Sequence, residues 1–402
     1  MKIPPMLFHP ALPLLASLAV LSAPVSGQAD SLPRPPPRLP GIDEAVRARI
    51  EAGDVPGAVT FVAAGDRVLH LEAHGLADLD KQAPMRADSI FRIASMTKPV
   101  TALAVLMLHD EGRLDIDDPV SKHLPEFASL KTPSGKPATV TIRQLLAHVS
   151  GLGGLSKEET RNNPSRTLGQ FAAIYPSLPM QSEPGAKWKY NRVGLNLAAR
   201  IVEITGGMPF DQFIQERIFA PLGMRDTTFH PPPENRPRIV SAYYKHKETG
   251  RLTARRLRND YTRSERPPTG DGGLYSTAPD YGRLCRMLLN EGALDGKRYL
   301  RAETVRLMRS NQTGGLAAGF LPGHNWGVGV GIVREPQGVT AMLSPGTFGH
   351  GGAYGTQAWI DPARGVVYIL MIQRNDFPNG DDSAIRNAFQ QTAAAALPAG
   401  LR

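Results

Sequence analysis

The clearest candidate for chemistry in this sequence is a serine followed three residues later by a lysine. Ser95 and Lys98 form the one Ser-x-x-Lys pattern in the chain. A serine hydroxyl becomes a strong nucleophile only when a base removes its proton, and a lysine kept neutral by burial can be that base. The spacing places both side chains on one face of a helical turn, which predicts a nucleophilic serine activated by a lysine. A helix-capping serine beside a surface lysine is the alternative.

The residues after Ser95 predict that it lies at the start of a helix. Residues 101–110 are mostly apolar, as expected of a helix in the core. Pro99 suits the first turn, because the backbone hydrogen that proline lacks would have no partner there. The unpaired N–H groups at such a helix start point toward incoming negative charge.

Three further stretches support a functional role for Ser95 and Lys98, and the glycines of the third let the backbone approach a ligand closely. Residues 145–152 read LLAHVSGL, residues 184–190 read PGAKWKY, and residues 349–353 read GHGGA. Glycine lets a backbone come close to a ligand because it has no Cβ. Tyr190, at the end of the second stretch, can be explained from the residues alone as an aromatic packed beside Trp188.

Strand patterns occur near both ends of the chain, with helical patterns between them. Residues 57–64 and 67–73 predict a hairpin around Gly65-Asp66, and residues 356–360 and 366–372 predict another. Helices are predicted over residues 42–51, 101–110, 195–205 and 281–289. This order predicts an α+β fold with a sheet built from both chain ends.

Taken in order, these stretches resemble the serine β-lactamase-like superfamily, which includes class C β-lactamases, D-alanyl-D-alanine carboxypeptidases and β-lactamase-fold carboxylesterases. The resemblance covers about residues 42–393 and rests on the segments FRIASMTKPVTALAV, GRLDIDDPVSKHLPEF, LLAHVSGL, PGAKWKYNRVGLNL, QERIFAPLGMRDTTF, DGGLYSTAPDYGRL and FGHGGAYGTQAWIDP. It implies an α+β, β-lactamase/transpeptidase-like fold, in which an antiparallel sheet from both chain ends is flanked by helices beside an inserted helical domain. We expect the sheet part at residues 41–105 and 270–402, and the insertion at 106–269.

The resemblance also implies a role for individual residues. Ser95 is expected to be the nucleophile that accepts the acyl group, with Lys98 assisting its deprotonation. Tyr190 stands in the place of the tyrosine of the family's Tyr-x-Asn motif, which acts with the lysine as base and donates a proton to the leaving group. The backbone N–H groups of Ser95 and Ala353 are expected to form the oxyanion hole. No metal or organic cofactor is implied.

The chain departs from the β-lactamase pattern at two places in the expected substrate site, which we take to include His350, Gly351, Gly352 and Arg192. His350-Gly351-Gly352 replaces the family's Lys-Thr-Gly, and Arg192 replaces the asparagine of Tyr-x-Asn. That lysine normally helps to bind a substrate carboxylate, whereas a histidine is mostly neutral at pH 7. That asparagine normally orients the substrate amide. Efficient β-lactam hydrolysis is therefore not expected.

The superfamily's esterase branch tolerates both changes, so the sequence predicts a carboxylesterase that acts on small or medium acyl esters. The Gly-x-Ser-x-Gly elbow of α/β-hydrolases does not occur in the chain, which excludes that other route to an esterase. A β-lactamase or a D-amino-acid peptidase is the alternative enzyme. A catalytically silent binding or assembly protein of the same fold is the alternative from another class, and the intact Ser95, Lys98 and Tyr190 argue against it.

The first residues predict an exported protein, either periplasmic or secreted. Lys2 precedes an apolar run at residues 11–23, which is shorter than the roughly 20 residues of a membrane span and typical of a signal peptide. We expect a signal peptide at residues 1–27 and a proline-rich linker at 28–40, with no stable membrane span after cleavage. An uncleaved N-terminal anchor is the alternative.

The net charge of +9 raises the question of a nucleic-acid partner, and the single cysteine that of a reactive thiol. Basic residues concentrate in residues 245–266, but no DNA-binding motif accompanies them, so a solvated loop is favoured over a nucleic-acid site. Cys285 shares a helical face with apolar residues, which predicts a buried, inert thiol. No His, Cys and carboxylate group shows metal-ligand spacing along the sequence. The expected partner is a small ester or amide substrate, and the sequence indicates no oligomeric state.

Overall fold

The structure is a computed structural model that describes Met1 and residues 37–156, 166–255 and 266–401. The predicted signal peptide, apart from Met1, and linker residues 28–36 lie outside the described residues. Within the described part of 37–401, no helix is both long enough and apolar enough to cross a membrane.

Fourteen strands are found in the described part of the chain, and eight of them form one antiparallel sheet in the order β10-β11-β12-β13-β14-β1-β2-β3. In chain order the strands are β1 (Gly57–Ala64), β2 (Arg67–Asp78), β3 (Ala83–Pro84), β4 (Phe91–Arg92), β5 (Tyr243–Lys245), β6 (Leu252–Ala254), β7 (Tyr275–Ser276), β8 (Ala293–Leu294), β9 (Lys297–Arg298), β10 (His324–Trp326), β11 (Gly331–Val333), β12 (Phe348–Gly351), β13 (Gln357–Asp361) and β14 (Val366–Met371). The remaining strands form the pairs β4-β7, β5-β6 and β8-β9.

The two ends of the chain meet in the middle of the sheet, as the sequence predicts. β14 pairs with β1, so that Val59 lies opposite Met371. Successive side chains of β1 enter two different cores, Phe61 on one face of the sheet and Val62 on the other. A strand covered on both faces can be buried at every position, which explains why β1 is apolar apart from Thr60.

Helices cover both faces of this sheet. In chain order the described helices are α1 (Ile42–Glu51), α2 (Thr97–Asp110), α3 (Val120–His123), α4 (Ile142–Leu146), α5 (Leu168–Ile174), α6 (Val193–Gly206), α7 (Phe210–Ile214), α8 (Ala220–Leu222), α9 (Ala278–Leu289), α10 (Ala302–Met308) and α11 (Ala384–Ala395). α1 and α11 share one core with Val62, and α9 shares the other with Phe61. Gly282 allows this packing, since a Cβ there would lie 2.7 Å from the Phe61 ring.

The helices and strands predicted from the sequence are all present, with ends that shift by a few residues. α2 begins at Thr97, upstream of the predicted residue 101, because Pro99 is tolerated in its first turn. α6 is capped at its C-terminal end by Gly207, whose φ of +72° suits glycine. The hairpin β5-β6 lies in a region expected to hold helices and loops. The proposed division into a sheet part and a helical insertion stays a prediction.

The helix α2, which follows Ser95 and contains Lys98, lies in the hydrophobic core. Its residues from Thr97 to Leu108 are all buried, and it packs against α6 and β12. Cys285 is buried in α9, as predicted, and burial raises the pKa of its thiol. An apolar environment of this kind keeps a thiol unreactive.

Candidate active site

Ser95 lies in a short 3-10 turn, Ala94–Met96, directly before α2. Ala94 has a φ of +45°, in the left-handed region that residues other than glycine rarely adopt. The hydroxyl of Tyr281 donates a hydrogen bond of 2.9 Å to the carbonyl oxygen of Met96 and so ties the turn to α9. Surrounding structure therefore holds a strained backbone that presents Ser95 at the N-terminus of a helix.

Lys98 is buried one helical turn after Ser95, with 1% of its surface exposed. Its Nζ donates hydrogen bonds to Ser95 Oγ at 3.0 Å and to the backbone oxygen of Asp271 at 2.6 Å. Burial lowers the pKa of Lys98 to about 8; the charge of Asp271 opposes this shift and that of Arg192 adds to it. A neutral amine at this position can accept the Ser95 proton. The alternative of a surface lysine is wrong.

Tyr190 lies against both Lys98 and His350, the first residue of the His350-Gly351-Gly352 stretch that replaces Lys-Thr-Gly, which we call the third motif. Its hydroxyl oxygen is 3.4 Å from Nε2 of His350, and its ring centroid is 4.9 Å from Nζ of Lys98. Burial raises the pKa of Tyr190 well above its usual value, and an interaction with Ser95 only partly opposes the shift. The side chain is therefore a protonated phenol at neutral pH, which suits a proton donor better than a base.

His148 packs against Tyr190 and was given no role by the sequence analysis. The two ring centroids are 4.5 Å apart, and Trp326 lies 5.4 Å from His148 on another side. The backbone N–H of Asn191 donates to Nδ1 of His148 at 3.4 Å, so the ring proton is on Nε2, which has no hydrogen-bond partner among the described residues. Burial holds the pKa of His148 far below its usual value. The uncharged imidazole of His148 therefore packs against the Tyr190 ring and helps to hold it in position.

His350 lies in β12 and is buried against Tyr190. Its Nδ1 donates to the carbonyl oxygen of Gly351 at 2.6 Å, which leaves Nε2 free to accept from the Tyr190 hydroxyl. Burial lowers the pKa of His350 to about 3, and the charge of Lys98 adds to this effect. His350 is therefore uncharged at neutral pH and cannot replace the positive charge of a lysine.

Gly351 and Gly352 are required by close packing around the third motif. A Cβ at Gly351 would lie 2.0 Å from a carboxylate oxygen of Asp381. A Cβ at Gly352 would lie 2.2 Å from the Thr356 hydroxyl and 2.5 Å from the carbonyl oxygen of Ile93. The backbone here approaches the segment before Ser95 so closely that only glycine fits.

Arg192 forms an ion pair with Asp271, a residue that the sequence analysis missed. Nε and Nη2 of Arg192 donate to the two carboxylate oxygens at 2.5 and 3.3 Å. Burial would raise the pKa of Asp271, but the charges of Arg192 and Lys98 hold it below its usual value. Asp271 begins the segment DGGLYST, so the signal available in the sequence was an acidic residue directly before a Gly-Gly pair. Asp271 therefore positions two side chains: its backbone carbonyl holds Lys98, and its carboxylate holds Arg192.

Ser95 and Ala353 lie where two cavities meet. The larger has a volume of about 310 Å³, and the smaller of about 240 Å³. The larger is also lined by Arg92, Arg192, Arg266, Asp271, Tyr354 and Asn375. The smaller is also lined by Tyr190, Phe320, His350, Gly351, Gly352 and Phe377. All residues predicted for the site therefore line one or both cavities, except Lys98, which lies buried in contact with Ser95.

Comparison with known proteins assigns the family. Residues 42–393 match the sequence profile of the Beta-lactamase family. The chain belongs to the β-lactamase family. It is 34% identical over 367 residues to protein Rv1367c of Mycobacterium tuberculosis (strain ATCC 25618 / H37Rv), covering 83% of this chain and 90% of that protein. It is 30% identical over 362 residues to esterase EstB of Burkholderia gladioli, covering 82% of this chain and 88% of EstB.

The solved structures show the same fold. EstCE1, described as a hydrolase with promiscuous acyltransferase activity, superimposes with a TM-score of 0.76 and 24% identity, covering 87% of this chain and 97% of EstCE1. The β-lactamase-like α+β fold predicted from the sequence is therefore confirmed. This family consists mostly of serine hydrolases and includes esterases and carboxypeptidases.

This β-lactamase-family chain has a second polar cluster, which lies on β2. The sequence predicted no group of His, Cys and carboxylate residues with metal-ligand spacing, and this cluster corrects that prediction. His70, Glu72 and His74 are buried, and their ligand atoms lie within 4.8 Å of one another. The Thr60 hydroxyl oxygen is 2.8 Å from Nε2 of His70 and 2.9 Å from Nε2 of His74. The backbone N–H of Leu39 donates to Nδ1 of His70 at 3.1 Å, so the His70 proton is on Nε2. That nitrogen has no lone pair for a metal, and the cluster fits a hydrogen-bond chain.

Proposed function

We propose that this protein is a carboxylesterase that hydrolyses small or medium acyl esters through an acyl-enzyme at Ser95. The observation that carries the proposal is the hydrogen bond of 3.0 Å between Ser95 Oγ and the Nζ of a fully buried Lys98. With the pKa of Lys98 lowered to about 8, a useful fraction of this amine is neutral at physiological pH. This pairing supplies the base that a serine hydroxyl needs.

In the acylation step, the neutral Lys98 takes the proton of Ser95 while Oγ forms a bond to the ester carbonyl carbon. The carbonyl oxygen becomes an oxyanion, to which the backbone N–H groups of Ser95 and Ala353 donate. The bond from carbon to the alcohol oxygen then breaks. Tyr190 gives its proton to the departing alkoxide and regains a proton from the ammonium of Lys98. The acid part stays attached to Ser95.

In the deacylation step, a water molecule attacks the carbonyl carbon of the acyl-enzyme. Lys98, again neutral, receives the proton of that water as the new oxyanion forms. The bond between the acyl carbon and Ser95 Oγ then breaks, and Oγ recovers the proton from Lys98. The carboxylic acid leaves, and the side chains return to their starting protonation states.

Two features favour an ester over a β-lactam or a peptide. His350 is neutral where the β-lactamase pattern has a lysine that binds the substrate carboxylate. Arg192 replaces the asparagine that orients a substrate amide, and it is held by Asp271. An ester needs no amide-orienting group, and its alcohol is an easier leaving group than an amine. The likeness to esterase EstB supports the same choice.

Active-site labelling and paired substrates test this proposal. A fluorophosphonate probe should label the wild-type protein and leave Ser95→Ala unlabelled. Short-chain p-nitrophenyl esters and a chromogenic cephalosporin are then assayed side by side on the same enzyme. We expect turnover of the esters to exceed that of the cephalosporin.

Each readout can fail separately. Absence of label at Ser95 in folded protein refutes the serine-hydrolase mechanism and favours a catalytically silent protein of this fold. Normal labelling with faster turnover of the cephalosporin refutes the esterase preference and favours the β-lactamase alternative.

A further inference from the structure

The smaller cavity at Ser95 is lined by aromatic side chains. Tyr190, Phe320 and Phe377 all contribute to its lining. Phe320 is one of three large apolar residues that are exposed in the described part of the chain, with 40% of its surface accessible. An exposed aromatic ring gains hydrophobic free energy when a ligand covers it. Because Phe320 also lines a cavity at the proposed nucleophile, we expect the substrate to be that ligand.

Phe320 is held in place although it is exposed. Its ring centroid lies 4.8 Å from that of Tyr190, 5.8 Å from that of Trp188 and 6.0 Å from that of Trp326, and all three contacts are edge-to-face. Aromatic rings prefer this arrangement. Nδ2 of Asn379 donates a hydrogen bond of 3.0 Å to the carbonyl oxygen of Phe320 and so fixes its backbone. A ligand that binds against this ring therefore meets a surface that is already ordered.

Phe377 is positioned by contacts of a different kind. The guanidinium carbon of Arg374 lies 4.3 Å from the Phe377 ring centroid, and Nε of Arg374 donates to a carboxylate oxygen of Asp376 at 2.7 Å. A Cβ at Gly355 would lie 3.0 Å from the Phe377 ring, so the backbone approaches that ring closely. The protein itself therefore fixes both phenylalanines of the cavity.

The volume of the smaller cavity suits one aromatic ring. It measures about 240 Å³, and an apolar cavity of about 150 Å³ is large enough to hold benzene. A single ring and a short link to the ester oxygen therefore fit. Asp381 also lines this cavity, and its Oδ1 accepts a hydrogen bond of 2.8 Å from Nε2 of Gln357. A carboxylate in the lining repels an anion, so we do not expect an anionic group here.

The position of Tyr190 indicates which part of a substrate enters this cavity. As the proposed proton donor to the departing alkoxide, the Tyr190 hydroxyl must lie beside the alcohol oxygen. Among the described residues, Tyr190 lines the smaller cavity and does not line the larger one. The alcohol portion therefore extends into the smaller cavity, and the acyl portion extends into the larger one.

We propose that the smaller cavity selects esters whose alcohol portion carries a single aromatic ring, such as a benzyl group. This inference rests on the proposed esterase function and on its assignment of Tyr190 to the alcohol side. An aromatic guest makes edge-to-face or offset-stacked contacts with Phe320 and Phe377, which a saturated ring of similar size cannot make. These contacts should favour the aromatic alcohol portion by about two- to tenfold in kcat/KM.

The test compares benzyl acetate with cyclohexylmethyl acetate. The two esters share the acyl group and the carbon skeleton, and both release a primary alcohol. Dividing each kcat/KM by the rate constant for hydrolysis of the same ester by hydroxide corrects for the reactivity of the leaving group. We expect a corrected ratio of about two to ten in favour of benzyl acetate. The saturated ring is the more apolar of the two, so the hydrophobic effect alone does not produce this preference.

Substitutions of phenylalanine by leucine locate the source of the preference. Phe320→Leu keeps an apolar side chain but removes the ring, and it should abolish most of the preference for benzyl acetate. Phe377→Leu should also lower the ratio. Phe229→Leu makes the same change in a separate cavity of about 190 Å³ and should leave the ratio unchanged.

A second readout needs no ester turnover. Benzyl alcohol should slow fluorophosphonate labelling of Ser95 in the wild-type protein at a concentration about two- to tenfold lower than cyclohexylmethanol requires. This difference between the two alcohols should disappear in Phe320→Leu and persist in Phe229→Leu.

The outcomes distinguish this inference from the function on which it rests. Turnover of both esters with a corrected ratio of one or less overturns the inference and leaves the esterase intact. A preference that Phe320→Leu leaves unchanged, or that Phe229→Leu lowers equally, also overturns it. If Ser95 is labelled but neither ester is hydrolysed, equal protection by the two alcohols overturns it as well. Failure to hydrolyse either ester and to label Ser95 refutes the esterase proposal itself.

Discussion

Acylation of Ser95 should accelerate about tenfold between pH 7 and pH 9, because the base must be neutral to act. The pKa of Lys98 is lowered to about 8 by its burial. About one tenth of the side chain is then neutral at pH 7 and about nine tenths at pH 9. A rate that depends on the neutral amine follows this fraction, with an inflection near the pKa. An ordinary surface lysine would give an inflection more than two pH units higher.

The measurement is the second-order rate of labelling by an uncharged fluorophosphonate, at constant ionic strength and corrected for hydrolysis of the probe. Arg192→Gln provides a directed perturbation of the inflection. The charge of Arg192 lowers the pKa of Lys98 and that of Asp271 raises it. Removing Arg192 therefore moves the inflection to higher pH. Arg67→Gln, which alters an exposed arginine at the start of β2, serves as the matched control and should leave the inflection in place.

Two results would refute this reasoning. A labelling rate that does not change between pH 7 and pH 9 would mean that the proton of Ser95 goes to a group other than Lys98. An inflection near pH 8 that stays fixed in Arg192→Gln would mean that the titrating group is not the buried lysine beside the Arg192–Asp271 pair.

Three further predictions follow from the structure, two for the active site and one for the His70 cluster on β2. Lys98→Ala should slow acylation by about 10²–10⁴-fold, at least as much as Tyr190→Phe, and near-normal labelling contradicts the role of the lysine. Gly352→Ala should cost about 10²–10³ in kcat by displacing the adjacent oxyanion-hole amide, whereas Gly315→Ala, where a Cβ meets open space, should have no effect. Burial lowers the pKa of His70 to about 4. The neutral His70 ring therefore contributes about 3 kcal/mol to the free energy of unfolding above pH 6.5, and this contribution is lost as the pH falls through 4. Urea unfolding at several pH values checks this, and a constant free energy of unfolding over that range contradicts it.

The elements that the sequence predicted share a strong local pattern. β1 and β14 are mostly apolar runs with turn residues between them and their neighbours, and α1 shows helical spacing of its apolar side chains. β10 and β11 were not predicted, because three-residue strands that contain polar residues or glycine have too little pattern to detect. β11 pairs with β10 and β12, and these neighbours come together only in the folded sheet.

The sequence by itself determined the spacing of Ser95 and Lys98, the helix that follows them and the altered third motif, because these are local properties of the chain. The tertiary structure alone decided that Lys98 is buried and that Asp271, 173 residues away, accepts its hydrogen bond. It also decided that Arg192 is held by the same Asp271. A pKa depends on burial and on charges brought together across the fold, so the reactivity of the Ser-x-x-Lys pair follows from packing that the spacing cannot reveal.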